Sequence, residues 1–375
     1  MRIAAIICEY NPFHKGHQAH IAWTKQHADA VVCLMSGSFV QRGEPALFDK
    51  FTRARWALQA GADLVLELPV IGVLQSAQGF ARTGVFLADA IGADALSFGV
   101  EETDTDSLYA LARLEKQEIY AKRLQQHLAQ GCSYPAAAQR AAQEILPSLS
   151  EKLFGPNCTL AIEYIRAIER YQSPLRILPM PRNLPISSTV CRRQYCAHQS
   201  LDALLPPFVL NSIPSVQSVT ITDLAPLFLY RLRMMTPADF AALPGCSEGI
   251  EQRLYRAGRT QASLSGLLSA ATTARYPLSR VKRLLCNALL GITADMQSFY
   301  RDTLPYARLL GLSRTAGNVM TELRQRTRIP LIDKPVTWKH DPLFSLEQRA
   351  TDVHALCMGQ PCGLDFSHPL ALQGE

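Results

Sequence analysis

Four short apolar runs recur in the first hundred positions, and a stretch with helical spacing follows each of the first three. Residues 2–8, 30–35, 63–68 and 94–98 are rich in Ile, Val, Leu and Ala and lack a regular polar face. Residues 17–27, 49–60 and 75–90 repeat apolar positions every three or four residues. Strands that are apolar on both faces and alternate with helices predict a parallel sheet covered on both sides. The joints repeat as well. His27-Ala28-Asp29, Gly61-Ala62-Asp63 and Gly92-Ala93-Asp94 each close a helix and launch a strand, at intervals of 34 and 31 residues. In such a sheet, ligand-binding groups collect at the carboxyl ends of the strands.

Beyond residue 105 the pattern changes. Residues 107–130, 136–146 and 159–171 read as helices, and residues 175–178 as a strand returning to the sheet. Pro206, Pro207 and Pro214 predict a linker. From about 220 onward helices dominate with little strand signal, and residues 332–375 are weakly patterned. The fold class is therefore α/β: a Rossmann-like parallel-sheet domain over 1–205, with a helical insertion at about 105–171, followed by a mainly helical region over 215–375.

Composition narrows the class. With 48% apolar and 19% charged residues in 375, the chain can build ordinary cores and is not a disordered protein. The most apolar stretch, 64–74, is interrupted by Glu67 and Pro69, so no membrane span is expected. The apolar run 3–8 meets Glu9, too short for a secretory signal. Ten irregularly spaced cysteines without a CxxC pair read as reduced thiols, with no metal site. These features predict a cytoplasmic protein. The net charge of +6 is unevenly spread. Residues 1–100 are neutral overall, whereas residues 220–331 carry a net +8. A basic region of that size calls for an anionic partner.

The chemistry starts at Asn11-Pro12-Phe13-His14-Lys15-Gly16-His17, directly after the first strand and opening a helix. A helix N-terminus offers unpaired N–H groups and a partial positive charge. Gly16 permits close approach of a nucleotide. His14 and His17 can face the same phosphates from one side of the first turn. Ile186-Ser187-Ser188-Thr189 starts a second helix, with Arg192 one turn later. Gly99 at the end of the fourth strand, Asn157 at a helix start and Pro181-Arg182-Asn183 after the returning strand add candidate contacts. The long polar loop 36–45 leads to Lys50 and Arg53, either of which could neutralise a phosphate.

HxGH after a first strand resembles the nucleotidyltransferase superfamily related to class I aminoacyl-tRNA synthetases. In that superfamily a segment like Ile186–Arg192 closes the far side of the triphosphate. Glu9 to His17, Met35-Ser36-Gly37, Gln41-Arg42-Gly43-Glu44-Pro45, Glu67-Leu68-Pro69, Ser133-Tyr134-Pro135 and Ile186-Ser187-Ser188-Thr189 together resemble the tRNA(Met) cytidine acetate ligase family over about residues 1–335. The resemblance implies an ATP-dependent ligase that activates acetate as acetyl-adenylate. It then acetylates N4 of the wobble cytidine of elongator tRNA(Met). It implies an ATP site made by Ile7, Cys8, Glu9, Tyr10, Asn11, Pro12, Phe13, His14, Lys15, Gly16, His17, Gln18, Ala19 and His20, with Gly99, Asn157, Arg182, Ser188 and Arg192. It further implies catalytic roles for His14, His17, Lys50 and Thr189, and Mg²⁺ accompanying the triphosphate. Cys191 stands where the family commonly has isoleucine, one position before the arginine.

The basic region then serves tRNA. Arg231, Arg233, Arg253, Arg256, Arg259, Arg275, Arg280, Lys282 and Arg283, followed by Arg314, Arg324, Arg326 and Arg328, favour phosphate recognition. Tyr230, Tyr255 and Tyr276 are candidate stacking platforms for bases. Two other readings stand beside this one: a nucleotidyltransferase acting on a small phosphorylated metabolite, and a non-catalytic RNA-binding protein on a relic nucleotide fold.

Overall fold

In the computed structural model, which describes residues 1–182 and 184–373, the first hundred residues form the expected alternation. Asn183 lies outside the described residues. Strand β1 (Ile3–Cys8) leads into helix α1 (Lys15–Lys25) and strand β2 (Ala30–Ser36). A short hairpin of β3 (Phe39–Val40) and β4 (Glu44–Pro45) precedes α2 (Lys50–Gln59), β5 (Leu64–Leu68), α3 (Val70–Val73), α4 (Ala77–Ala90) and β6 (Ala95–Val100). The insertion comprises α5 (Thr105–Leu114), α6 (Glu118–Ala129), α7 (Tyr134–Ile145) and α8 (Pro156–Tyr171), and returns through β7 (Arg176–Pro181) to α9 (Ser188–Cys196).

A helical layer follows, with α10 (Pro207–Ser212), α11 (Ala225–Met234), α12 (Pro237–Ala241), α13 (Ile250–Thr260), α14 (Leu264–Ala271), α15 (Leu278–Leu290) and α16 (Ala294–Phe299). The chain ends its described course with β8 (Ala307–Leu312), α17 (Gly317–Arg326), β9 (Leu331–Ile332), α18 (Pro342–Cys357), α19 (Leu364–Ser367) and β10 (Ala371–Leu372).

The sheet order is β10-β8-β5-β2-β1-β6-β7, with β9 beside β8. Strands β5, β2, β1, β6 and β7 are mutually parallel, and β8 runs antiparallel to β5. From the central β1 the chain first moves outward to β2 and β5, then resumes on the other side with β6 and β7. The topological switch point therefore lies between the carboxyl ends of β1 and β6.

Alternate residues of each strand feed different cores. Ile3, Ala5, Val32, Leu34, Leu64, Leu66, Leu96 and Phe98 face the core shared with α4 and α8. Ile6, Cys8, Val31, Cys33, Met35 and Val65 face a second core with Trp56 and Leu58 of α2. Each fully buried Leu, Ile or Val side chain stabilises the fold by about 1.5–3 kcal/mol, which is why neither strand face carries a polar pattern. The repeated aspartates hold the strand starts together. Asp29 Oδ2 accepts the Arg2 N–H, Asp63 Oδ2 the Val31 N–H and Asp94 Oδ2 the Ile3 N–H, at 2.6, 2.8 and 2.7 Å.

Three differences from the sequence reading concern the later chain. The 107–130 stretch breaks after Leu114 into two helices. Residues 206–214 pack as structure, with Pro207 at the first position of α10, where its missing N–H has no role. Trp56 Nε1 donates to Ser212 Oγ at 2.7 Å, tying this segment to α2. Within 215–375, β8, β9 and β10 join the main sheet. The run Ala307-Arg308-Leu309-Leu310-Gly311-Leu312 has no alternation because both of its faces are covered. A Cβ on Gly311 would lie 2.9 Å from Ala371 and from Leu58.

Candidate active site

The loop after β1 turns directly into α1, and His14 is the N-cap. Its Nδ1 accepts the Gly16 N–H at 3.1 Å, and Nδ1 of His17 accepts the His14 N–H at 3.2 Å. With Nδ1 committed as an acceptor, the neutral ring of each histidine carries its proton on Nε2. The rings stack at 3.6 Å. Burial, with the positive charge of Arg182 nearby, pushes His14 down to about 4. Burial and the neighbouring His14, His20 and Arg182 hold His17 well below the usual range. Both imidazoles are therefore neutral donors at physiological pH. Gly16 makes room for the fold-back: a Cβ there would sit 3.0 Å from the His14 ring.

The helix-terminal amides are less free than the sequence implies. Lys15 N donates to Leu204 O at 2.9 Å, Gly16 N to His14 Nδ1 and His17 N to His14 O at 2.8 Å. The Lys15 ammonium donates to Asp202 O at 2.7 Å. The donors at this helix start are chiefly side-chain groups.

His20 continues the histidine row. Its Nε2 is 2.9 Å from Ser97 Oγ on β6, which is 2.8 Å from Thr24 Oγ1. Burial and Arg182 lower His20 to about 4. Arg182 follows β7, donates from Nη2 to Ile186 O at 3.0 Å, and lies across Gly99, whose absent Cβ would stand 3.2 Å from Arg182 Cγ. The structure thus brings His14, His17, His20, Gly99 and Arg182 together at the switch point. Ser97 is missing from the sequence reading; a polar residue inside an otherwise apolar strand was its only signal.

A second group closes the loop from the α9 side. Ser187 caps α9 by accepting the Val190 N–H at 3.3 Å, with Ser188 and Thr189 in the first turn. Arg192 Nη1 donates to Asn11 O at 2.6 Å and its Nη2 lies 3.5 Å from Thr189 Oγ1. Asn11 Oδ1 accepts the Leu47 N–H at 2.7 Å, while its buried Nδ2 has no partner among the described residues. Glu9 Oε1 accepts the Gln41 N–H at 2.6 Å, and burial raises its pKa against the opposing charges of Arg192, Arg53 and Arg42.

The remaining loop residues build the frame. Tyr10 hydroxyl lies 3.2 Å from Cys33 Sγ, and its ring packs edge-on to Phe13. Cys8 Sγ donates to Leu34 O, and burial pushes its thiol up, which removes it as a nucleophile. Pro12 is buried, whereas Ile7, Gln18 and Ala19 are half-buried. Arg53, fully buried, donates to the carbonyls of Phe48, Glu9, Ser36 and Gly37, clipping the loops after β1 and β2 together.

Two expected site residues are placed otherwise. Lys50 does not point at the histidines. Its ammonium lies 2.6 Å from Glu67 and 2.7 Å from Asp365, both of which also meet Arg308. This buried cluster leaves Lys50 no free charge for a phosphate. Asn157 donates through Nδ2 to Glu101 at the end of β6, and the same carboxylate accepts the Cys158 N–H at 3.0 Å. Asn157 thus reaches the rim of the site through Glu101.

The basic region is partly structural. Arg231, Arg233, Arg253 and Arg259 donate to carbonyls, Arg324, Arg326 and Arg328 pair with carboxylates, and Arg308 is buried. Tyr276 is buried with its hydroxyl on Glu248 O, and Arg259 covers Tyr255 at 3.6 Å. Of the three tyrosines only Tyr230 is broadly exposed. An open cavity of about 480 Å³ is nonetheless lined by Arg253, Arg256 and Tyr276.

Known proteins resemble this chain over nearly its whole length. The HIGH Nucleotidyl Transferase family matches residues 1–365. The tRNA(Met) cytidine acetate ligase of Acetivibrio thermocellus is 33% identical over 96% of each chain. The ligase of the same name from Thermoanaerobacter sp. strain X514 is 31% identical over 99% of each. The crystal structure of Thermotoga maritima TmcAL bound with alpha-thio ATP superposes with a TM-score of 0.91 at 28% identity over the whole of both chains. No helix among the described residues is long and apolar enough to cross a membrane.

Proposed function

The chain belongs to the HIGH nucleotidyl transferases, and to the tRNA(Met) cytidine acetate ligases among them, and from that premise we propose its reaction in two steps. An acetate oxygen attacks the α-phosphorus of ATP, the α–β phosphoanhydride bond breaks, and pyrophosphate leaves. The N4 amine of the wobble cytidine of elongator tRNA(Met) then attacks the acetyl carbonyl. AMP departs and the amine gives up one proton.

The observation that carries this reading is the pair of stacked, neutral histidines with both Nδ1 atoms tied to backbone amides. Their Nε2–H groups suit phosphate oxygens that gain charge as the anhydride breaks, and such donors need no reorganisation during the step. Arg182 beside them supplies a fixed positive charge. Arg192 and Thr189 serve the loop side of the triphosphate, and Asn11 Nδ2 is a buried donor available to an incoming oxygen. Catalysis on this reading is positioning and electrostatics. Lys50 holds the floor of the site rather than a phosphate.

Among the described residues, no group of three or more His, Cys, Asp or Glu side chains is arranged to hold a metal. The residues present therefore offer no cage of their own for Mg²⁺. The sheet-bearing part, residues 1–205 completed by β8, β9 and β10, handles ATP and acetate, and α11 to α15 carry the tRNA surface.

Mass spectrometry of tRNA nucleosides after incubation with ATP, acetate and the protein tests the proposal. N4-acetylcytidine at the wobble position, with acetate-dependent ATP–pyrophosphate exchange, is expected. Exchange that responds to a phosphorylated metabolite and not to acetate would favour the metabolite nucleotidyltransferase. No ATP turnover at all would favour the relic fold.

A further inference from the structure

The β3–β4 hairpin joins the basic helical layer to the nucleotide site through Gln41, Gly43 and Glu44. Lys282 Nζ of α15 lies 2.5 Å from Glu44 Oε1, and Arg283 Nη1 reaches Gln41 O at 3.4 Å. Gly43 sits against the α15 backbone so closely that a Cβ would come within 2.3 Å of Arg283 N. On its other side the hairpin is fixed by the Gln41 N–H on Glu9 and by Gln41 Nε2 on Gln75 O at 3.0 Å.

Arg42 occupies the tip. It is exposed, and its charge acts on the buried Glu9 carboxylate without a direct hydrogen bond or ion pair among the described residues. Its backbone is held by its neighbours on both sides, so its side chain projects from a fixed point. One neighbour is the carbonyl that receives Arg283, next to Arg280 on α15. The other direction leads to Glu9 and the loop that opens into His14. A cation on an anchored backbone between a basic surface and a reaction centre that already has Arg182 and Arg192 is placed for a polyanion spanning both.

We propose that Arg42 contacts an RNA phosphate flanking the target nucleotide, and so seats the tRNA between the α15 surface and the nucleotide site. The proposal rests on the tRNA ligase reading, but its test does not depend on turnover. A planar guanidinium on a phosphate makes a charge-assisted fork. Each neutralised phosphate also releases counterions, which steepens the salt dependence of binding by about one.

Fluorescence anisotropy with a labelled tRNA(Met) transcript, over a salt series, compares wild type, Arg42→Ala and Arg42→Lys. The alanine variant is expected to bind about tenfold more weakly or worse, with a salt slope shallower by about one. The lysine variant should restore the slope and part of the affinity. Acetate-dependent pyrophosphate exchange without RNA is measured in parallel. Unchanged binding and slope in Arg42→Ala overturn the proposal. So does a loss of exchange equal to the loss of transfer, which would put Arg42 on ATP. Wild type that binds through Arg42 yet lacks acetate-dependent exchange would sustain the RNA contact and overturn the ligase reading instead.

Discussion

The rings of His14 and His17 lie 3.6 Å apart and 17° from parallel, so a proton on either would face the other across one ring thickness. Their positions are set by backbone amides on Nδ1, and their depressed pKa values keep both neutral. Acetate-dependent exchange should therefore show no inflection near pH 6.5 from these groups, and protonation of His14 should lower it only as pH approaches about 4. A pH–rate profile checks this. Replacing either histidine by alanine should lower the exchange rate by about 10²–10³-fold, measured beside circular dichroism to confirm the fold.

Stability should respond to the same titrations. His14, His20 and His354 have folded pKa values lowered by burial to about 4, against about 6.5 when unfolded. The unfolded chain takes up these protons first. The stability they contribute is complete above pH about 6.5 and is lost as pH falls toward 4. Thermal melting at half-unit pH steps should show Tm declining through that window. His354, whose Nε2 donates to Ala46 O at 2.7 Å, isolates one component. His354→Gln should flatten the decline.

The cluster of Lys50, Glu67, Arg308 and Asp365 predicts a stability defect rather than a pure loss of phosphate binding. Removing one partner leaves buried charges uncompensated, at a cost of about 3–5 kcal/mol. Lys50→Met and Asp365→Asn should each lower the denaturant midpoint by a corresponding amount. A Lys50→Met protein of wild-type stability that had lost exchange would return Lys50 to the triphosphate.

Gly43 makes a separate prediction. Its φ is +75° and its missing Cβ faces the α15 backbone. Gly43→Ala combines left-handed backbone strain with overpacking, each costing about 1–3 kcal/mol. Urea unfolding should report a clear destabilisation. Gly317→Ala serves as a control, because nothing lies within 4 Å of a Cβ there.

The first hundred residues were legible because local signals agreed. Apolar runs buried on both faces, helical spacing and the recurring aspartates all pointed to one parallel sheet, and HxGH fell where that sheet binds ligands. Lys50 was misread for a physical reason. A lysine opening a helix resembles a phosphate ligand until its partners are known, and Arg308 and Asp365 come from the far end of the sequence. Tyr276 shows the same limit, since Glu248, whose carbonyl receives its hydroxyl, lies 28 positions away. Strand β8 escaped because Arg308 and Gly311 interrupt its apolar run and it stands outside the strand–helix alternation, pairing antiparallel with β5.

His354 and Ala46 touch although 308 positions separate them, and Ser38 meets Thr351 across 313. The hairpin and floor of the nucleotide site are therefore completed by residues more than three hundred positions away. Arg308 and Asp365, which complete the ion cluster of Lys50 and Glu67, come from the same distant region of the chain. Cutting the chain before α18 would therefore remove the partners of Ala46, Ser38 and Lys50 together.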